Sequence, residues 1–66
     1  MRIKLNGETY EVDESTTVSE LLACLDIDPR RVAVERNLAV LKRGTFDTTR
    51  LADGDEIEIV NFVGGG

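Results

Sequence analysis

Residues 2–29 read RIKLNGETYEVDESTTVSELLACLDIDP, and this stretch decides the fold. Ile3 and Leu5 alternate with Arg2 and Lys4, the period of two that marks a strand with one buried face. Asn6-Gly7 follows. Both residues tolerate positive φ, so the pair supplies the tight turn of a two-residue hairpin. Residues 9–13, TYEVD, alternate again, with Tyr10 and Val12 on one face. Then the period changes. Val18, Leu21, Leu22 and Leu25 stand at i, i+3, i+4 and i+7, one stripe of a helix. Thr17 precedes Glu20 by three residues, the spacing of a capping box in which each side chain satisfies the other's free amide. The pattern predicts a helix over residues 17–26. Pro29 forbids its continuation, and Asp28 before it is pushed to extended geometry.

Downstream, RVAVERN (31–37) reads as a third strand and LAVLKRG (38–44) as a short fourth, paired through a turn at Asn37. TFDTTRL (45–51) carries turn formers and two isolated apolar residues, Phe46 and Leu51, and reads as an irregular plug at the core's edge. After a turn at Asp53-Gly54, a last strand alternates Ile57 and Ile59 against Glu56 and Glu58. The order is β-β-α-β-β-β. A hairpin, a helix across it and a late strand returning beside the first give an α+β fold, a mixed sheet with one face covered by one main helix. This is the β-grasp arrangement, with the first strand central and parallel to 56–62. The expected core is Ile3, Leu5, Val18, Leu21, Leu22, Leu25, Leu51, Ile57 and Ile59.

Sixty-six residues suffice for one small domain, and 41% hydrophobic residues suffice for its core. With a single cysteine and no histidine, neither an internal disulfide nor a four-ligand zinc set can form, so no metal is expected. The lack of cystine suits a reducing cytosol, and a cytoplasmic location is expected. The N-terminus has no apolar run suited to a signal peptide, and no window approaches a membrane span. A net charge of −5 argues against nucleic acid, which requires a basic surface. Basic residues collect between Arg30 and Arg50, whereas Asp53 to Glu58 is acidic, either ordinary solubility charge or a face that steers a basic partner. Cys24 flanks the helical stripe without a histidine to activate it, and packing is the expected role. Asp13, Glu14, Asp53, Asp55, Glu56 and Glu58 are expected to be solvated. Gly44 and Gly54 are isolated and open no helix, so no phosphate loop is present.

The chain ends NFVGGG. Glycine brings no side chain to pack and loses the most freedom on ordering. Gly64, Gly65 and Gly66 are therefore either fray or a terminus that is itself the functional group. The division expected is a domain over 1–63 and a flexible, extended tail over 64–66. By period two, Val60 and Phe62 share the outward face with Glu56 and Glu58. With Val63 they form an apolar patch beside the terminus, where a partner docks.

IKLNGE, TVSELL, VAVERN, LADGDEIEIV and FVGGG together span essentially the whole chain. In them the chain resembles the ubiquitin-like sulfur carriers, and among these the thiamine-biosynthesis family. The resemblance implies a protein substrate rather than an enzyme, with no cofactor of its own. A ubiquitin-activating-type adenylyltransferase would use ATP to adenylate the carboxylate of Gly66. A thiocarboxylate would follow, donating sulfur to thiazole synthase. Gly65 and Gly66 fall on the family's Gly-Gly motif, and Gly64 lies outside it. A carrier feeding molybdopterin or a thiolated tRNA base, and a β-grasp interaction module with inert glycines, stay open as alternatives. The free protein is expected to be a monomer.

Overall fold

β1 (Arg2–Leu5) and β2 (Glu8–Glu11) pair antiparallel, with Ile3 opposite Tyr10 and Leu5 opposite Glu8. Asn6 and Gly7 take φ of 49° and 85°, so the hairpin turns on the two residues suited to positive φ. The computed structural model describes residues 1–62; the readings placed on Val63 and on the Gly64–Gly66 tail lie outside the described residues.

α1 (Val18–Cys24) starts as expected. The Thr17 side chain accepts from the Glu20 amide at 3.1 Å, and Glu20 Oε1 accepts from the Thr17 amide at 2.8 Å. The first helical amides are satisfied by the 45–50 segment: Val18 N donates to Thr49 O and Ser19 N to Phe46 O. The segment read as a plug thus also caps the helix, and Phe46 and Leu51 are buried.

The helix ends two residues short of its expected limit, and Pro29 does not end it. Asp26 sits at φ 59°. Its amide donates to Ala23 O while Ile27 N reaches back to Leu22 O. These two bonds are a Schellman motif, which satisfies the last carbonyls by a left-handed residue usually supplied by glycine. Asp28 is extended, as expected, and caps a 3₁₀ turn over Pro29–Arg31.

β3 (Val32–Arg36) follows, then a turn at Asn37 and Leu38, both at positive φ. The fourth strand is shorter than read: β4 is Ala39–Val40 alone, and both residues are exposed. Leu41 N still bonds Val34 O, but Arg43–Thr45 coil into a 3₁₀ turn. LKRG offers no second inward apolar position to hold a longer strand.

β5 (Glu56–Asn61) completes a sheet of order β2-β1-β5-β3-β4. β1 lies inside the sheet and parallel to β5, but the middle position belongs to β5. Both its edges are used, parallel to β1 through Leu5↔Ile57 and antiparallel to β3 through Val34↔Ile59. This mixed sheet with one α-helix across it is the β-grasp fold.

The core lies between α1 and one sheet face, and holds Ile3, Val18, Leu21, Leu22, Leu51 and Ile57 as expected. Leu5, Leu25 and Ile59 are only half-buried against it: Leu5 ends β1, Leu25 caps α1, and Ile59 lies beyond the last β1–β5 pair, Leu5↔Ile57. Val32, Val34 and Phe46, outside the expected set, are buried. The first two are the inward positions of β3.

Candidate docking face and terminus

The sheet face turned away from α1 is ordered in rows by the β3–β5 register. Glu35 stands opposite Glu58, and Ala33 opposite Val60. Phe62 N donates to Arg31 O at 2.9 Å, which extends the same ladder by one more pair. Val40 joins the face opposite Glu35. Along β5 the face therefore runs from acidic (Glu56, Glu58) through apolar (Val60, Ala33) to Phe62 and Arg31 at the base of the terminal segment.

Val60 and Phe62 are each 52% exposed, as their outward alternation requires. Val40 and Leu38 are more exposed still, at 69% and 87%. Val40 enlarges the apolar area and was not singled out from the sequence. Its signal was the pairing through Asn37, which sets Val40 in register with the outward Glu35.

The end of β5 is held on both sides. β1 turns away after Leu5, but the Asn6 side chain continues the pairing. Its Oδ1 accepts from Ile59 N at 2.7 Å and its Nδ2 donates to Ile59 O at 3.2 Å. Asn6 thus serves both the hairpin turn and the strand that leads to the terminus. On the other flank, Arg43 Nε donates to Pro29 O at 3.1 Å, and its guanidinium lies 5.9 Å from the centre of the Phe62 ring. That distance is a cation–π contact. Arg30 pairs with Asp28 through side chain and backbone amide, and these bonds hold the Asp28 carboxyl down at about 2.

The carboxylates divide differently from expectation. Asp55 is buried, not solvated. It accepts from Arg36 Nε at 2.9 Å, Asn37 Nδ2 at 3.2 Å and Ala52 N at 2.8 Å. It fastens the β3–β4 turn to the start of β5, and a buried carboxylate is tolerable because its lone pairs are filled. Cys24 is also a correction: it is exposed, not packed. It borders a shallow cleft of about 420 Å³ with Tyr10, Val12 and Leu21, where Glu11, Asp13 and Glu14 supply the charge. Among the described residues no group of His, Cys, Asp or Glu could hold a metal ion, and no helix is long and apolar enough to cross a membrane.

The model of the ThiS family matches residues 3–66. The chain is 48% identical over its whole length to part of a thiazole synthase of Magnetococcus marinus, and spans about a fifth (20%) of that protein. A second thiazole synthase, from Paramagnetospirillum magneticum, is matched over the same 20% share. The sulfur carrier protein ThiS of Bacillus subtilis is 38% identical, the match covering 97% of this chain and 98% of that one. The crystal structure of the thiamine biosynthesis protein ThiS from Geobacter metallireducens superposes with a TM-score of 0.87 at 43% identity, covering 100% of both chains. By family model, by a relative of its own length and by fold, the chain belongs to the ThiS family.

Proposed function

We propose that this chain is a sulfur carrier of thiamine biosynthesis, a protein substrate whose reacting group is the carboxylate of Gly66. A carboxylate is a poor electrophile. Attack by a Gly66 oxygen on the α-phosphorus of ATP, with loss of pyrophosphate, would give an acyl adenylate with a good leaving group. Hydrosulfide then attacks the acyl carbon, AMP departs, and loss of the proton leaves a thiocarboxylate. Its sulfur passes to thiazole synthase, a partner suggested by the two thiazole synthases in which a matching segment is found.

In this reading the body (1–63) and the tail (64–66) divide the labour. Glycines admit the terminus to a narrow channel on an adenylyltransferase of the ubiquitin-activating type, where side chains would block the acyl carbon. Ordering each glycine costs about 1–2 kcal/mol, so the body must supply affinity. One observation carries the reading: β5 delivers exposed Val60 and Phe62 to the base of an all-glycine terminus. Val63 is assigned to the same contact.

The test separates the two roles. Val60→Asp or Phe62→Asp should weaken capture by the adenylyltransferase at least tenfold in calorimetry, because each places an unpaired charge at the contact. Deleting Gly66 should leave capture intact and abolish ATP–pyrophosphate exchange. Exchange that survives the deletion would show that the terminus is not the reacting group.

A further inference from the structure

Basic residues gather where β5 gives way to the terminal segment, although the chain as a whole carries a net charge of −5. Three backbone segments meet there. Arg43 bonds Pro29 O and reaches toward Arg30 O, Arg31 O accepts the Phe62 amide, and the Arg43 guanidinium lies against the Phe62 ring. Arg30 and Arg31 are 82% and 83% exposed in their side chains, and both are directed to one carboxylate, Asp28. Lys42 and Arg43 are exposed and have no carboxylate partner among the described residues. Among the described residues, four cations against one anion leave a positive spot beside the apolar patch, while the other end of the same sheet face carries Glu35, Glu56 and Glu58.

We infer that Arg31, Lys42 and Arg43 form a docking contact for acidic side chains on the partner protein, placed at the rim of the channel that receives the glycine terminus. This rests on the sulfur-carrier reading and adds the orientation of docking to it. The apolar patch alone would let the body bind in several rotations. A positive spot at one end of the face and a negative one at the other admit a single rotation, since like charges facing each other across an interface are strongly unfavourable. Residues 63–66 can span at most about 14 Å, so the contact that sets the direction of the terminus has to lie near Phe62. Nucleic acid is the weaker candidate for so small a spot on an acidic molecule.

The test is ATP–pyrophosphate exchange with the organism's own ubiquitin-activating-type adenylyltransferase, measured against carrier concentration at low and at physiological ionic strength. Lys42→Glu and Arg31→Glu should each raise KM for the carrier roughly tenfold, leave kcat unchanged and flatten the salt dependence. Arg43→Lys should keep KM near wild type, and Arg43→Glu should raise it. The Lys42 side chain caps nothing, so Lys42→Glu tests the contact without disturbing the fold; thermal melts of every variant confirm folding. Unchanged KM and salt dependence in Lys42→Glu and Arg31→Glu, with normal exchange by wild type, would overturn the docking contact alone. A fall in kcat at constant KM would also overturn it. No exchange by the wild-type chain would remove the sulfur-carrier reading, and this inference with it.

Discussion

Asp55 shows what one residue can fasten. Its carboxylate accepts from a guanidinium, a side-chain amide and a backbone amide that belong to β3, the following turn and the loop before β5. Asp55→Ala should cost about 2–3 kcal/mol, since hydrogen bonds to a charged group are lost and Arg36, 31% exposed in its side chain, regains only part of its hydration. Urea denaturation measures it, and a loss below about 0.5 kcal/mol would contradict the network. Leu22, fully buried under α1, should cost roughly 2–5 kcal/mol on truncation to Ala. Asp28 supplies a pH signature. Its side-chain and backbone bonds to Arg30 lower its carboxyl from 3.8 to about 2. A depressed value in the folded state means that its contribution is present above 3.8 and lost as pH falls through about 2. Carboxyl NMR should find Asp28 titrating near 2, and Arg30→Ala should move it back toward 3.8.

Among the elements, the legible ones were those whose signals are local. Asn6-Gly7, the Thr17–Glu20 box and the alternation of Ile57 and Ile59 each specify a geometry within a few residues, and each is present. The helix end, the length of β4 and the burial of Asp55 are decided by partners far along the chain or by a residue in an unusual role. Asp26 at φ 59° stands where glycine is usual, so the sequence carried no stop signal before Pro29. Two predictions belong here. Thr17→Ala should destabilise by about 1 kcal/mol through loss of the cap. Asp26→Gly should stabilise by about 0.5–1 kcal/mol, because glycine adopts that conformation without a Cβ clash. For a domain of this size 1 kcal/mol moves Tm by about 4–8 °C, so thermal melts resolve both signs. A lower Tm for Asp26→Gly would contradict the Schellman assignment.

On the scale of the whole molecule, the two sheet faces differ. α1 covers one, and among the described residues the other leaves Val60, Phe62 and Val40 exposed. β5 is held by β3 on one edge and by β1 and Asn6 on the other, and Phe62 follows directly on its last residue. The outward alternation of β5 made most of the candidate site readable. The gathering of basic residues around Phe62 was not, because it depends on the Arg43 side chain bonding Pro29 O and on the Phe62 amide bonding Arg31 O, contacts between segments far apart in the chain. The central claim, that the body exists to offer the carboxylate of Gly66 for conversion to a thiocarboxylate, is tested most directly by intact mass. The chain is incubated with its adenylyltransferase, ATP and a sulfur donor, beside a variant lacking Gly66. The account predicts a gain equal to the exchange of one oxygen for sulfur, located on the C-terminal peptide and absent from the truncated chain. No gain in the wild type, or the same gain without Gly66, would contradict it.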